Sequence, residues 1–170
     1  MTPSEVYVVA RAVVRTMRDS EQTQEIHKTE EITGRARFRR IRAELFDSDE
    51  GRDLMRERPE LCSDQVDYDW LATLPEGTLG RAYSDHLVEN GLSADYQAAA
   101  TRYVDDPEMA YLMRRFRQTH DVWHALTGLG TNGHEETIIH AFSWGQLRLP
   151  VSAMVIVGGA TRLTDSGLSI

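Results

Sequence analysis

The segment DDPEMAYLMRRFRQTHDVWHALTGLG, residues 105–130, constrains the fold more than any other part of the chain. Asp106 precedes Pro107 and Glu108, a combination typical of the first turn of a helix. Proline loses no hydrogen bond at that position, and the acid faces the positive end of the helix dipole. Gly128 or Gly130 then supplies the residue type that ends a helix. The segment therefore predicts one well-defined helix.

Helical start and stop residues also dominate the rest of the chain, whereas strands of alternating polarity are absent. The first predicted helical segments are residues 4–28 and residues 36–61, the second with a break near Asp47–Gly51 and a stop at Pro59. An Asp-rich cap and the turn LPEGTLG come next, followed by a helix from about Arg81 to Gly91. The last two predicted segments are residues 134–149, ended by Pro150, and a core helix over 151–160. The chain is predicted to be all-α, a single-domain helical bundle over residues 1–170. It closes on apolar residues without a polar tail, which suggests that the natural C-terminal helix continues beyond residue 170.

Composition excludes some classes of function. The chain has 19 Lys+Arg against 27 Asp+Glu, a net charge of −8, whereas a nucleic-acid-binding protein needs a basic face. Its single cysteine, Cys62, cannot form an internal disulfide and has acidic neighbours, which predicts an unreactive thiol in a reducing compartment. No secretory signal is visible, and no apolar stretch is long enough to span a membrane. We therefore expect a cytoplasmic protein.

The principal candidate site lies near the end of the best-defined helix. His120 and His124 are separated by one helical turn, which allows two imidazoles to bind one ion, and Asp121 lies close to the same face. Glu136 follows after eleven further residues and is expected to fold back as a fourth ligand. Arg117, on the same stripe, is expected to pair with Asp121 or to meet an anionic substrate. The spacing thus predicts a divalent metal ion between two adjacent helices, with Zn²⁺ as the first choice and Fe or Mn as alternatives.

A plainer interpretation of these residues stays open. Polar residues one and four positions apart also occur on solvated helix faces, and Glu135 and Glu136 are equally suited to capping the next helix. His134 and His140 are expected on the helix surface, although His140 lies one turn beyond Glu136 and is close enough in sequence to support the site.

The sequence HDVWH, followed by eleven residues and Glu136, resembles the HDxxH-x11-E signature of the Coq4-type ubiquinone (coenzyme Q) biosynthesis proteins. Further segments resemble that family in the same order: GRDLMRERPEL, LATLPEGTLGRAY, YVDDPEMAYLMRRFRQTHD and LRLP. The resemblance covers about residues 45–150, and the N-terminal helix more loosely. It implies an all-α fold, a zinc-type site at His120, Asp121, His124 and Glu136, and peripheral association with a membrane.

The resemblance also implies a function in building the ubiquinone head group on a polyprenylated 4-hydroxybenzoate-type lipid. Members of the family are credited with organising the other quinone-biosynthesis enzymes, and with replacing the ring carboxylate at C1 by hydroxyl. His120, Asp121 and Arg117 are then the candidate catalytic residues. Association with the inner membrane is expected on the cytoplasmic side in a bacterium and on the matrix side in a mitochondrion. The oligomeric state is left open, with a homo-oligomer as one alternative.

This chain departs from the family pattern at three positions near the motif. Glu135 stands where the family usually has Gly, His140 where it has Lys, and Ser143 where it commonly has Glu. The predicted metal ligands are unaffected by these departures, whereas another prenylated ring or lipid becomes an alternative substrate.

Two other functions compete with catalysis on a quinone precursor. In the first, the ion is structural and the protein is a non-catalytic scaffold that binds a prenyl lipid and recruits partner enzymes; a closed four-ligand site would favour it. In the second, the His–Asp pair belongs to an HD-type metal phosphohydrolase, which would need His86 upstream and Asp165 downstream as further ligands.

Overall fold

The computed structural model of the protein describes residues 1–18, 23–95 and 103–165, and side chains within residues 1–16, 24–95 and 103–160. Every regular element in these ranges is a helix, which confirms the all-α prediction. The elements are α1 (Pro3–Arg18), α2 (Thr23–Phe46), α3 (Asp49–Glu57), α4 (Tyr68–Ala72), α5 (Leu79–Glu89), α6 (Pro107–Thr127), α7 (Gly133–Leu147) and α8 (Pro150–Asp165).

Local capping bonds fix both ends of α6. The Asp106 carboxylate accepts hydrogen bonds from the backbone N–H groups of Glu108 and Met109, and Pro107 occupies the first turn. At the other end Gly128 adopts a left-handed conformation with φ +68°, which glycine takes without steric cost. The loop of residues 128–132 follows, and Asn132 caps α7. These short-range bonds bring the end of α6 next to the start of α7.

Helix α6 lies at the centre of the bundle and packs against α2, α5 and α7. Its first half contributes Met109, Tyr111, Leu112, Met113 and Phe116 to the main core, together with side chains from α2, α3 and α8. Its second half buries polar side chains instead: Arg117, Gln118, Asp121 and His124. A buried polar group must find a partner or lose free energy. The second half of α6 is therefore where a functional site is expected.

The structure differs from the sequence-based prediction mainly at helix boundaries. Residues 4–28, predicted as one helical segment, belong to two elements, since α1 ends at Arg18 and α2 begins at Thr23. Helix α5 begins at Leu79 rather than near Arg81 because the Thr78 side chain accepts a hydrogen bond from the backbone N–H of Arg81. The predicted break after Phe46 and the predicted Asp-rich cap of α4 are both present.

The structure agrees with the expectation of an unreactive cysteine. Burial and the nearby Asp64 raise the pKa of the Cys62 thiol to about 11, which makes the thiolate, the reactive form, scarce at neutral pH. The predicted core helix at 151–160 is helical, as part of α8, but it is core at one end only: Val151 and Ser152 are buried, whereas Val157 is 66% exposed. Within the described ranges, none of the helices combines the length and the apolar character that crossing a bilayer requires.

Candidate metal centre

Three side chains from α6 and α7 converge at the junction of the two helices. The His124 Nε2 atom lies 3.4 Å from Glu136 Oε1, and the His120 Nε2 atom lies 3.8 Å from Glu136 Oε2. One donor atom from each residue lies within 4.8 Å of those of the other two. The i, i+4 spacing of the two histidines places both rings on one side of α6, and Glu136 faces them from the first turn of α7. The sequence-based prediction of this grouping agrees with the geometry.

The donor set fits a divalent cation. The Nε2 atoms of His120 and His124 are buried, and neither makes a hydrogen bond in the described structure. The other ring nitrogen of His124 lies 3.2 Å from the carbonyl oxygen of Leu129. Because a carbonyl only accepts, Nδ1 carries the proton in the neutral ring, and the Nε2 lone pair faces the centre. Metal-binding histidines are commonly oriented by such a bond.

His124 and Glu136 shift each other's pKa in the directions that favour an anionic carboxylate beside the imidazole. Burial lowers the pKa of His124, but the Glu136 carboxylate and the Leu129 carbonyl outweigh it, so the net shift is upward. Burial raises the pKa of Glu136, yet His124 and His120 outweigh it and the net shift is downward. Glu136 is therefore held as an anion facing two imidazoles, as a cation-binding carboxylate must be.

Asp121 lies outside the three-residue group, contrary to the four-ligand expectation. On a helix it lies about 100° from His120 and about 60° from His124, at the edge of the face that carries the two histidines. Its carboxylate is 3.8 Å from the Nδ1 atom of His120, on the opposite side of the ring from Nε2. This separation is longer than a hydrogen bond. The structure therefore places Asp121 as a buried side chain beside His120 and next to the three-residue group, not within it.

Arg117 also differs from expectation. Its guanidinium is only 3% exposed and forms ion pairs with Glu30 at 3.3 Å and Glu31 at 2.8 Å, both on α2. Arg117 was expected to pair with Asp121 or with an anionic substrate, whereas its two partners precede it by more than 80 residues in the chain. The structure assigns the charge of Arg117 to holding α6 against α2, so it is not placed among the catalytic groups.

Two more histidines border the centre. The His86 ring of α5 stacks on His124, with centroids 5.3 Å apart and an interplanar angle of 16°. The His140 ring lies 5.1 Å from His120. The expectation that His140 lies on the helix surface is wrong, since it is 6% exposed, whereas His134 is exposed as expected. The position of His140 one turn beyond Glu136 was the available sequence signal. His86 was singled out only for the phosphohydrolase alternative, because its proximity to His124 depends on helix packing.

His140 predicts an acid sensitivity of the fold. Burial and the neighbouring His120 lower its pKa to about 3, from 6.5. The unfolded chain therefore binds more protons between about pH 3 and 6.5, and stability falls as pH drops through that window. In the metal-free protein, His140→Gln should reduce the pH slope of the unfolding free energy by up to about 1.4 kcal/mol per pH unit.

Urea unfolding between pH 4 and 7 measures this slope. The matched control is His134→Gln, which alters an exposed histidine on the same helix and should leave the slope unchanged. Equal slopes for wild type and His140→Gln would show that His140 takes up its proton in the folded state.

Comparison with known proteins extends the resemblance beyond the motif. The sequence matches the family described as coenzyme Q (ubiquinone) biosynthesis protein Coq4 over residues 2–168. The ubiquinone biosynthesis protein COQ4, mitochondrial, of Yarrowia lipolytica is 40% identical over 118 residues, which are 69% of this chain and 45% of that protein. The COQ4 homolog, mitochondrial, of Bos taurus is 37% identical over 140 residues, which are 82% and 52% of the two chains. This chain thus spans about half the length of these curated relatives.

A solved structure has a similar fold. The crystal structure of a protein from Nostoc punctiforme that was assigned to ubiquinone biosynthesis superimposes with a TM-score of 0.63 at 26% sequence identity. The match covers 94% of this chain and 73% of that chain. The similarity therefore includes the whole arrangement of helices and is not confined to α6 and α7.

Proposed function

This chain belongs to the coenzyme Q (ubiquinone) biosynthesis protein Coq4 family, and from that membership we propose that it acts on the ubiquinone head group with a divalent ion held by His120, His124 and Glu136. The observation that carries the proposal is the convergence of two buried, unbonded Nε2 atoms on one carboxylate. Unbonded buried nitrogens are costly unless a ligand completes them. Zn²⁺ is the first candidate for the ion, with Fe or Mn as alternatives.

The proposed substrate is a polyprenylated 4-hydroxybenzoate-type lipid whose C1 carboxylate is replaced by hydroxyl. In this reaction the bond from C1 to the carboxylate breaks and a bond from C1 to oxygen forms. With O₂ as oxidant, the ring acid, O₂ and water give the phenol, CO₂ and hydrogen peroxide, so the ring acid itself supplies the electrons. An ion held by His120, His124 and Glu136 would act as a Lewis acid towards the carboxylate or phenolate oxygen.

The protein groups supply orientation and charge. The Leu129 carbonyl holds the His124 ring, and both imidazoles place Nε2 within 3.8 Å of a Glu136 carboxylate oxygen. The Glu136 carboxylate offsets part of the cation charge. Three protein donors match the pattern of catalytic zinc sites, whereas structural sites are closed by four. The donor count supports an enzyme rather than a scaffold with a structural ion, which is the competing proposal.

Partners and location follow from the same membership. Other quinone-biosynthesis enzymes and a membrane surface are the proposed contacts, because a polyprenylated lipid resides in a bilayer. Side chains of α1 support a peripheral contact, since Val6, Tyr7 and Val14 are exposed. The curated relatives are described as mitochondrial, and the corresponding location for this chain would be the matrix side of the inner membrane.

Turnover by the purified protein separates the enzyme from the scaffold. We expect the metal-loaded chain alone to convert a prenylated 4-hydroxybenzoate with release of CO₂, measured by mass spectrometry of the product. His120→Ala should lower the rate by about 100-fold or more, since even residues behind a metal ligand contribute up to that factor. His134→Ala, an exposed histidine, is the matched control.

Complementation tests the same role in cells. In a strain that lacks its ubiquinone-pathway relative, the wild type and His134→Ala should restore quinone synthesis, and His120→Ala should not. Restoration by His120→Ala would leave the proposed ion without a function. Restoration that depends on His120, without turnover by the protein alone, would favour the scaffold.

A further inference from the structure

His86 of α5 is a buried imidazole that the proposed chemistry does not use. It is 7% exposed, and its Nε2 atom is buried without a hydrogen-bond partner in the described structure. Its ring stacks on His124, which places it against the centre. The carboxylates of Asp121 and Glu136 both act on its pKa, so both lie within electrostatic range of the ring. His86 therefore brings a buried nitrogen without a hydrogen-bond partner next to a residue of the centre.

Contacts with Asn90, one helical turn further along α5, determine which ring nitrogen of His86 carries the proton. The Asn90 side-chain nitrogen lies 2.8 Å from the His86 carbonyl oxygen and 3.3 Å from His86 Nδ1. A carbonyl only accepts, so the atom beside it is the amide N–H₂ group, and the same group donates to Nδ1. The Asn90 oxygen accepts from the Thr131 hydroxyl at 3.1 Å, which agrees with that orientation. Because Nδ1 accepts, the neutral ring carries its proton on Nε2.

From these contacts we propose that the Nε2–H of His86 donates a hydrogen bond to a carboxylate or phenolate oxygen of the aromatic acid bound at the centre. The inference rests on the proposed function for its ligand. It makes His86 a substrate-binding residue that helps to fix the orientation of the ring, a role that the predicted metal motif does not include.

The environment suits this role. In the tautomer that the Asn90 amide selects, the His86 ring has one N–H to give, on Nε2. Because the neutral His86 ring carries no positive charge, it does not compete with the proposed metal ion for the Glu136 carboxylate. An anionic oxygen is the acceptor that makes the strongest bond with such a donor. Binding of an aromatic acid would thereby complete an atom that otherwise stays unbonded in the interior.

Histidine ring NMR tests the tautomer and the contact. In long-range ¹H–¹⁵N spectra of the zinc-loaded full chain, His86 should show a protonated Nε2 and an unprotonated Nδ1. Addition of 4-hydroxybenzoate should shift the Hε2 resonance of His86 downfield as the bond forms. A proton on Nδ1, or an Hε2 resonance that does not move while the probe binds, would overturn the proposal.

Affinity for the same probe gives a second readout. By calorimetry, His86→Leu should weaken 4-hydroxybenzoate binding by roughly ten- to hundredfold, the loss expected for a hydrogen bond to a charged group. His86→Gln should retain much of the affinity because its amide N–H can reach the position of Nε2. His134→Leu makes the same change at an exposed histidine and should bind as the wild type does.

The outcomes separate this inference from the proposed function. Unchanged affinity in His86→Leu, with zinc bound and the probe bound by wild type, would refute the role of His86 alone. Failure of the zinc-loaded wild type to bind the probe would refute the substrate class, and the role of His86 with it. Failure to bind zinc at all would refute the metal centre. Thermal unfolding of each variant, compared with wild type, shows whether a lost affinity reflects the site or a damaged fold.

Discussion

Replacing His124 with alanine is expected to remove the divalent ion from the protein. Gently purified wild type should carry about one ion per chain, measured by elemental analysis, because two imidazoles and a carboxylate form a typical zinc donor set. His124→Ala removes the most buried donor, and Glu136→Gln removes the only charged one of the three. Each change should lower the affinity for Zn²⁺ by more than about 100-fold, since substitutions behind the ligands already cost up to that factor.

The matched controls for the metal experiment are His134→Ala and Glu135→Gln. His134 is exposed, and Glu135 stands beside Glu136 in the first turn of α7 but lies outside the three-residue group. Both controls should bind zinc as the wild type does. Zinc at 100 times its dissociation constant should also raise the unfolding free energy by about 2.7 kcal/mol in the wild type. Full zinc binding by both ligand variants would eliminate the proposed centre.

Replacing Arg117 with methionine should have the largest effect on stability. Arg117, Glu30 and Glu31 are each at most 3% exposed, and the change removes the cation that forms ion pairs with both buried carboxylates. Breaking a buried ion pair from one side costs about 3–5 kcal/mol, measurable by urea unfolding. The matched control is Arg56→Met, which removes an arginine whose side chain is 68% exposed and should cost less than about 1 kcal/mol.

The pH dependence of this variant identifies the cause. Burial raises the pKa of Glu30 to about 7, although Arg117 opposes that rise. Without Arg117, protonation of Glu30 removes a buried charge, so the penalty should be smaller at pH 5 than at pH 8. Adding Glu30→Gln and Glu31→Gln to Arg117→Met should also recover part of the lost stability. A penalty that is independent of pH and unaffected by these changes would indicate lost packing instead of lost charge pairing.

The location of the candidate site could be predicted from the sequence because the contacts that form it join residues close together in the chain. Asp106 and Gly128 fix the ends of α6 through bonds to residues two to four positions away. Helix geometry then places His120 beside His124, and a loop of five residues, 128–132, is short enough to return Glu136 to them. Capping bonds, helical spacing and loop length all depend on residues that are near neighbours in the sequence.

The surroundings of the site could not be predicted in the same way. Arg117 was expected near Asp121 but pairs with Glu30 and Glu31, which precede it by more than 80 residues. His140 was expected at the surface, yet packing against α8 buries it, and its Nδ1 lies 3.2 Å from the Ser152 hydroxyl. No local pattern specifies which distant helix covers a polar side chain. Asp165, required by the phosphohydrolase alternative, has a side chain outside the described residues.

The amino-acid sequence by itself determined the all-α class, both ends of α6, the proximity of His120 to His124, and the resemblance to the family, but it missed the division between α1 and α2 and left residues 29–35 of α2 outside any predicted helix. The tertiary structure decided which charges are paired, as in Arg117 with Glu30 and Glu31, and which buried nitrogens lack a hydrogen-bond partner, such as Nε2 of His86. The physical reason is the distance along the chain over which each interaction acts. Caps and helical periodicity act within one or two turns, whereas burial, ion pairing and proton location depend on helices that meet only after the chain has folded.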